Sequence, residues 1–193
     1  MERLEITEAE QQAKSIRQSN AITTARYEMS SCEMDVFFSV LSKLKKDDTN
    51  ESLYRIRVKD MQDLTGRDFN YQQFRESTKN LVSRVYELKR VGANGGENLL
   101  QVSIFSSVEY IFGEGVIEVE LSEKIRPYLF NLKDRFTSYS LQSALSLSSK
   151  YAKRIYQLCS QWKAAGTKDY SIDELKYMFG LKDPKGKKPE QYQ

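Results

Sequence analysis

The apolar residues of this chain change their spacing repeatedly, and that switching limits the folds open to it. Met34, Phe37, Phe38, Leu41 and Leu44 recur at helical intervals, and Ser30-x-x-Glu33 just before them has capping-box spacing. Tyr54, Ile56 and Val58 then alternate with Arg55, Arg57 and Lys59, the period-two signature of a half-buried strand. A short helix, Lys59 to Leu64, stops at Thr65-Gly66. A long helix is expected from about Tyr71 to Lys89, with Phe74, Thr78, Leu81, Val85 and Leu88 on one stripe. The Gly-rich turn Gly92–Gly96 breaks the chain. Leu99–Tyr110 and Val116–Leu121 read as two strands joined through Gly113-Glu114-Gly115.

Helix, strand, helix, helix, strand, turn, strand is the order of a winged helix, a helix-turn-helix carrying a β-hairpin wing. The expected class is therefore α+β, with a winged helix-turn-helix domain over residues 19–134. Residues 1–18 are expected as a weakly helical arm, with Leu4, Ala9, Ala13 and Ile16 as a thin stripe. A boundary is placed near Asp134-Arg135. Residues 135–193 then read as the start of a second winged helix, expected to be cut short: a helix Leu141–Trp162, a turn at Gly166, and a helix started by Tyr170-Ser171-Ile172-Asp173-Glu174-Leu175 that ends near Gly180.

With 193 residues the chain can bury a real core. No apolar run approaches the roughly 18–20 residues of a bilayer span, and the acidic, polar N-terminus is unlike a signal peptide, so the expected location is cytoplasmic with no membrane partner. The chain has no histidine and only two cysteines, Cys32 and Cys159, for which no disulfide is expected. That excludes His-metal nickases and the Ser-His and Cys-His nucleophile systems. The Gly92–Gly96 turn lacks the GK[ST] of a P-loop. No catalytic residue, metal ligand or cofactor is assigned.

Charge remains as a means of action, and it is unevenly placed. Residues 1–132 carry 18 Lys/Arg against 21 Asp/Glu, whereas residues 133–193 carry 12 against 6. A polyanion footprint toward the C-terminus and an ordinary solvated surface both fit that balance. If Phe74 faces inward, Gln72, Arg75, Lys79 and Ser83 lie on the far side of the long helix, with Tyr86 and, one residue beyond its end, Arg90. Such side chains can donate to phosphates and reach base edges, although Glu76 and Glu87 on the same side oppose phosphate. On the helix 141–162, Leu141, Leu145, Ala152, Tyr156 and Cys159 are expected to face inward. Lys150, Arg154 and Gln157 would then point outward with Lys153 at the margin, as phosphate contacts. The Lys182–Lys188 tail reads as disordered or as a further phosphate contact. Leu100, Val102, Ile104 and Phe105 are more apolar than one small sheet needs. Core packing explains them, and so does a sheet edge that pairs with a second copy.

Several motifs also resemble those of plasmid replication initiators, the Rep family that binds repeated origin sequences called iterons. They are Asn20-x-x-x-x-Ala25-Arg26-Tyr27 with Met29-Ser30, and Pro127-Tyr128-Leu129-x-x-Leu132 with Phe136-Thr137-x-Tyr139. Ser149-Lys150-Tyr151-Ala152-x-Arg154-x-Tyr156 and Ser171-Ile172-Asp173-Glu174-Leu175 complete the set, which spans residues 19–181. The resemblance implies tandem winged helices, binding to double-stranded origin repeats, recruitment of host replication proteins and no enzymatic step. It also implies a homodimer that represses its own gene at an operator inverted repeat, and a main base-reading helix beginning near Tyr192. A transcriptional repressor on the same fold, or a pure dimerisation module, are the alternative functions.

Overall fold

The computed structural model describes residues 15–69 and 71–181. Residues 1–14 of the expected arm and the Lys182–Lys188 tail lie outside the described residues. Ser15–Ser19 is a strand, β1, which corrects the helix expected through residue 18. A single turn, α1 (Asn20–Thr23), follows and leads to the central helix α2, Ser31–Leu41. The capping box at its start is present: Glu33 N donates to Ser30 Oγ at 3.2 Å, and Ser30 N donates to Glu33 Oε2 at 3.0 Å. Every residue of α2 from Cys32 to Leu41 is buried. A helix hidden on all sides must carry its polar residues into the core with it, and α2 carries Glu33 and Asp35.

Around α2 lie β2 (Leu53–Arg57), α3 (Val58–Thr65) and α4 (Tyr71–Ser83). Gly66, at φ 63°, caps α3 in the left-handed conformation that glycine adopts without strain, and so opens the turn into α4. Two hairpins follow. β3 (Val85–Val91) pairs with β4 (Glu97–Ser103), and β5 (Phe105–Ile111) pairs with β6 (Val116–Leu121), which β2 joins to make a three-stranded sheet in the order β2-β6-β5. Helix α2, β2, α3, α4, β5 and β6 form the expected winged helix, with β5–β6 as the wing and β3–β4 inserted before it.

Two expected elements are corrected here. The long helix stops at Ser83, because Tyr86 and Leu88 alternate inward on a strand whose partner is brought back by the turn at Gly92 and Gly96. The expected strand Leu99–Tyr110 is two strands, since the chain passes from one sheet to the other at Ile104, whose carbonyl accepts from Ser122 N at 2.8 Å.

The boundary at Asp134-Arg135 is likewise no break in packing. After a 3₁₀ turn at Glu123–Tyr128, β7 (Phe136–Ser140) returns to pair antiparallel with β1, Ser15 opposite Ser140 and Ser19 opposite Phe136. Tyr139, Leu141, Ala144 and Leu145 belong to the same buried core as Ile22, Phe37 and Tyr86. The expected helix Leu141–Trp162 is two helices, α5 (Leu141–Ser146) and α6 (Lys150–Gln161). Leu147 is extended, and Ser149 caps α6 by accepting from Tyr151 N and Ala152 N. Helix α7 (Ile172–Met178) begins where expected, and the structure shows a capping box at its start, Ser171 with Glu174. It adds a small second cluster of Leu158, Met178 and Phe179.

One buried node fastens these parts. Asp35 Oδ1 accepts from Lys153 Nζ at 2.6 Å and Asp35 Oδ2 from Arg67 Nη2 at 2.8 Å. Lys153 Nζ also donates to Ala144 O at 2.9 Å, and Arg67 Nη2 to Leu145 O at 3.0 Å. Removing one member of such a pair leaves an uncompensated charge in the core. Lys153→Met should therefore lower the unfolding free energy by about 3–5 kcal/mol in urea denaturation, and a loss below about 1 kcal/mol would show the node to be idle. The cysteines test the packing independently. Burial pushes the Cys32 thiol up to about 11, whereas Cys159 is exposed. A thiol reagent at neutral pH should titrate Cys159 alone in the native protein and both cysteines in denaturant.

Candidate nucleic-acid interface

Helix α4 is amphipathic in the way its sequence indicates. Phe74, Ser77, Thr78 and Leu81 are buried, and Gln72, Arg75, Glu76, Lys79 and Ser83 are exposed on the opposite side. Phe74 meets Phe69 edge-on with ring centroids 5.4 Å apart, which sets the entry to the helix. Gln72, Arg75, Lys79 and Ser83 are thus brought to one face, as expected. Arg90 is not, because it belongs to β3. Tyr86 and Glu87 leave that face for the same reason: Tyr86 is buried, and Glu87 pairs with Arg26 at 3.2 Å. Glu76 is the remaining carboxylate of the pair expected there.

The wing adds residues that sequence reasoning passed over. Phe112, at the tip between β5 and β6, stands beside α4, with the Arg75 guanidinium 5.8 Å from its ring centroid. On the other side of the tip an open cleft is lined by Lys43, Arg55, Arg57, Asp60, Glu114 and Val116. Arg55 Nε donates to Glu118 Oε2 at 2.6 Å, and that bond raises the Arg55 pKa above its ordinary value. The only sequence signal for this side was the alternation of Arg55, Arg57 and Lys59 with the apolar residues of β2.

The contacts expected on α6 require correction. Lys153 is 0% exposed, Arg154 3% and Gln157 0%. Helix α6 starts afresh at Ser149, so its inward face is set independently of Leu141 and Leu145, and it turns these three polar residues into the core. The Arg154 guanidinium lies 3.8 Å from the Tyr27 ring centroid. Its Nη2 donates to Ala25 O at 2.8 Å and Met178 O at 3.3 Å, and its Nη1 to Gln157 Oε1 at 3.1 Å. Tyr27 OH donates to Gln157 Oε1 at 3.0 Å, and Gln157 Nε2 to Tyr139 OH at 2.9 Å. Burial raises the pKa of Tyr27 and, further, that of Tyr139, so both phenols stay protonated as donors. Lys150 is half-buried and its Nζ lies 3.4 Å from Glu28 Oε1. This face of α6 is an internal clasp.

The expected dimer edge is corrected too. Val102, Ile104 and Phe105 are buried in the chain's own core, and Leu100 packs against it. The register instead places Val91 and Leu99 together on the outer face of the β3–β4 hairpin, where both are exposed. Among the described residues there is no group of three or more His, Cys, Asp or Glu that could hold a metal ion, and no helix long and apolar enough to cross a membrane.

The family profile described as "Initiator Replication protein, WH1" matches residues 15–160. A "Replication initiation protein" of Escherichia coli is 31% identical over 123 residues, covering 61% of this chain and 37% of that protein. The "PI protein" of Escherichia coli is 33% identical over 84 residues, covering 40% of this chain and 28% of its own length. The chain thus matches well under half the length of either relative. In fold it is similar to the solved structure described as "Crystal structure of Pi initiator protein in complex with iteron DNA". The TM-score is 0.71 at 21% identity, over 88% of this chain and 74% of that one.

The clasp has a measurable consequence. Arg154→Ala removes the bonds to Met178 O and Ala25 O together with the stack on Tyr27. Amide exchange across Ile172–Met178 should then accelerate by about tenfold or more, with β6 amides unchanged. Equal acceleration in both places would mean that Arg154 serves global stability and does not hold α7 in particular.

Proposed function

The chain belongs to the initiator replication protein family, and from that premise we propose that it is a plasmid replication initiator that binds repeated origin DNA through folded cationic surfaces. The observation that carries this reading is the exposed face of α4, where Gln72, Arg75, Lys79 and Ser83 stand together on the second helix of a helix-turn-helix beside a wing. A helix packed by one face and polar on the other can enter a major groove. Arg75 and Lys79 would hold phosphates, fixing affinity and register, and Gln72 and Ser83 would reach toward base edges. The iteron DNA of the Pi initiator complex supports tandem repeats as the target. The action needs no covalent step, which accords with a chain without histidine.

Self-association, repression of the encoding gene as a dimer, and engagement of host replication proteins belong to the same proposal and rest on the family. For self-association, the exposed Val91 and Leu99 replace the buried residues of the earlier expectation.

The test is equilibrium binding to duplexes carrying the tandem repeats of the replicon that encodes the chain. Arg75→Ala with Lys79→Ala should weaken binding on every sequence and flatten the salt dependence by about two units in log–log slope. An unchanged slope would move the phosphate path off α4. Absence of binding to any duplex at low salt would overturn the reading for this chain.

A further inference from the structure

Phe112 is 62% exposed, and a single exposed aromatic ring is ordinary on a protein surface. Its position sets it apart. It is the first residue of the four-residue turn that closes the wing after the last strand pair, Ile111 opposite Val116. That turn is held in shape. Gly113 and Gly115 take φ values of 83° and 61°, which an L side chain rarely adopts, and Gly115 O accepts from Val58 N at 2.9 Å, tying the tip to the start of α3. Tyr110 meets the Phe112 ring edge-on, with centroids 5.3 Å apart and planes at 76°. The ring is therefore presented by a braced hairpin, so little ordering is left to be done on contact with a partner.

Its neighbour says what that partner is. Arg75, on the exposed face of α4, lies 5.8 Å from the ring. In B-DNA a major groove and the next minor groove are separated by one sugar-phosphate strand, and the minor groove is about 6 Å wide. A cation on the groove-facing helix with an apolar ring one side chain further out matches that sequence of surfaces: groove, phosphate ridge, groove. Glu114, two residues along the turn, would oppose a polyanion. It shares its cleft with Lys43, Arg55 and Arg57, as well as Asp60, and Arg55 is already paired with Glu118, so it is the ring and not an excess of positive charge that the tip offers a duplex.

We propose that Phe112 is a duplex-contacting residue: with α4 in a major groove and Arg75 on the bordering phosphates, its ring lies on the sugar edges of the flanking minor groove. The inference rests on the reading of α4 given above. Apolar side chains serve this purpose in the minor groove because the sugars and base edges there offer apolar surface, and burying the ring adds affinity that salt does not screen.

That last property separates Phe112 from every cation near it. Binding of the full chain, Phe112→Ala, Arg75→Ala and the double variant to one tandem-repeat duplex would be measured over a range of salt. Hydroxyl-radical cleavage would read the sugars that line the minor groove. Phe112→Ala should weaken binding about tenfold at every salt concentration with its slope unchanged. It should also restore cleavage of sugars one groove away from those that α4 covers. Arg75→Ala should flatten the slope by about one unit, and the double variant should show both losses. Unchanged affinity and footprint for Phe112→Ala, with Arg75→Ala still flattening the slope, would overturn this inference and leave the α4 reading intact. A Phe112→Ala slope change equal to that of Arg75→Ala, with nothing further in the double variant, would also overturn it, since Phe112 would then act only by holding Arg75. Failure of the unaltered chain to bind would overturn both.

Discussion

Two carboxylates on a helix with no solvent face determine how the rest of this chain can be arranged. Glu33 and Asp35 sit on α2, each essentially without exposure, and an ionised carboxylate in such a place is tolerated only if cations and hydrogen bonds come to it. Arg84, just past α4, meets Glu33 with both Nε and Nη2, at 2.8 and 2.9 Å. Arg67, in the turn between α3 and α4, and Lys153, on α6, meet Asp35 from two directions. Burial still pushes Asp35 upward and Lys153 downward from their ordinary pKa values, opposed by their mutual attraction. Both ends of α4 are thus fixed to the same helix by charge, and that fixes which face of α4 turns outward.

The same logic explains why the C-terminal segment is not a free unit. Arg154 fills a position where Tyr27, Gln157, Ala25 and Met178 all converge, and a planar guanidinium can stack and donate in several directions at once, where a lysine could not. The network runs on through Gln157, Tyr139, Gln18, Thr23 and Thr137 to Asn20. Strands β1 and β7 are therefore held by buried side-chain bonds as well as by their ladder. Polar cores of this kind are demanding, because each member left unpaired is costly, and they favour one arrangement over its neighbours.

Much of the architecture was legible because local chemistry and packing agree. Ser30 with Glu33 is a capping box in sequence and in structure, α7 starts at its cap Ser171 as its sequence indicated, and Gly66 closes α3 as its position implied. Where two periods coexist, the sequence is ambiguous. Phe74, Thr78, Leu81, Val85 and Leu88 satisfy a helix, but Tyr86 and Leu88 equally satisfy a strand, and only pairing with β4 decides between them. The α6 face was unreadable for another reason. Apolar residues mark buried faces, and here the buried face consists of Lys153, Arg154 and Gln157 beside Leu158, whereas Ile155 and Tyr151 are exposed. A charge whose partners lie more than a hundred residues away leaves no local signal.

This has a consequence for how charge is read. The excess of Lys and Arg after residue 132 suggested that the cationic surface lies toward the C-terminus, yet Lys153 and Arg154 spend their charge inside the fold and Lys150 faces Glu28. The exposed cations Arg75 and Lys79 on α4 and Arg57 on β2 come from the part of the chain that is slightly acidic overall. Net charge by segment is a poor guide because a phosphate responds to charges within about a Debye length, roughly 8–10 Å at moderate salt. Over that distance the relevant sum is taken across neighbours in space. Glu33, Glu87 and Glu118 are matched by Arg84, Arg26 and Arg55 of the same part, so those pairs cancel within its total, and Asp35 is matched by Lys153 from the other part. With those carboxylates already answered, Arg75 and Lys79 face a solvent-side environment in which Glu76 is the opposing charge on their helix, and a helix of modest net charge can still present a cationic face.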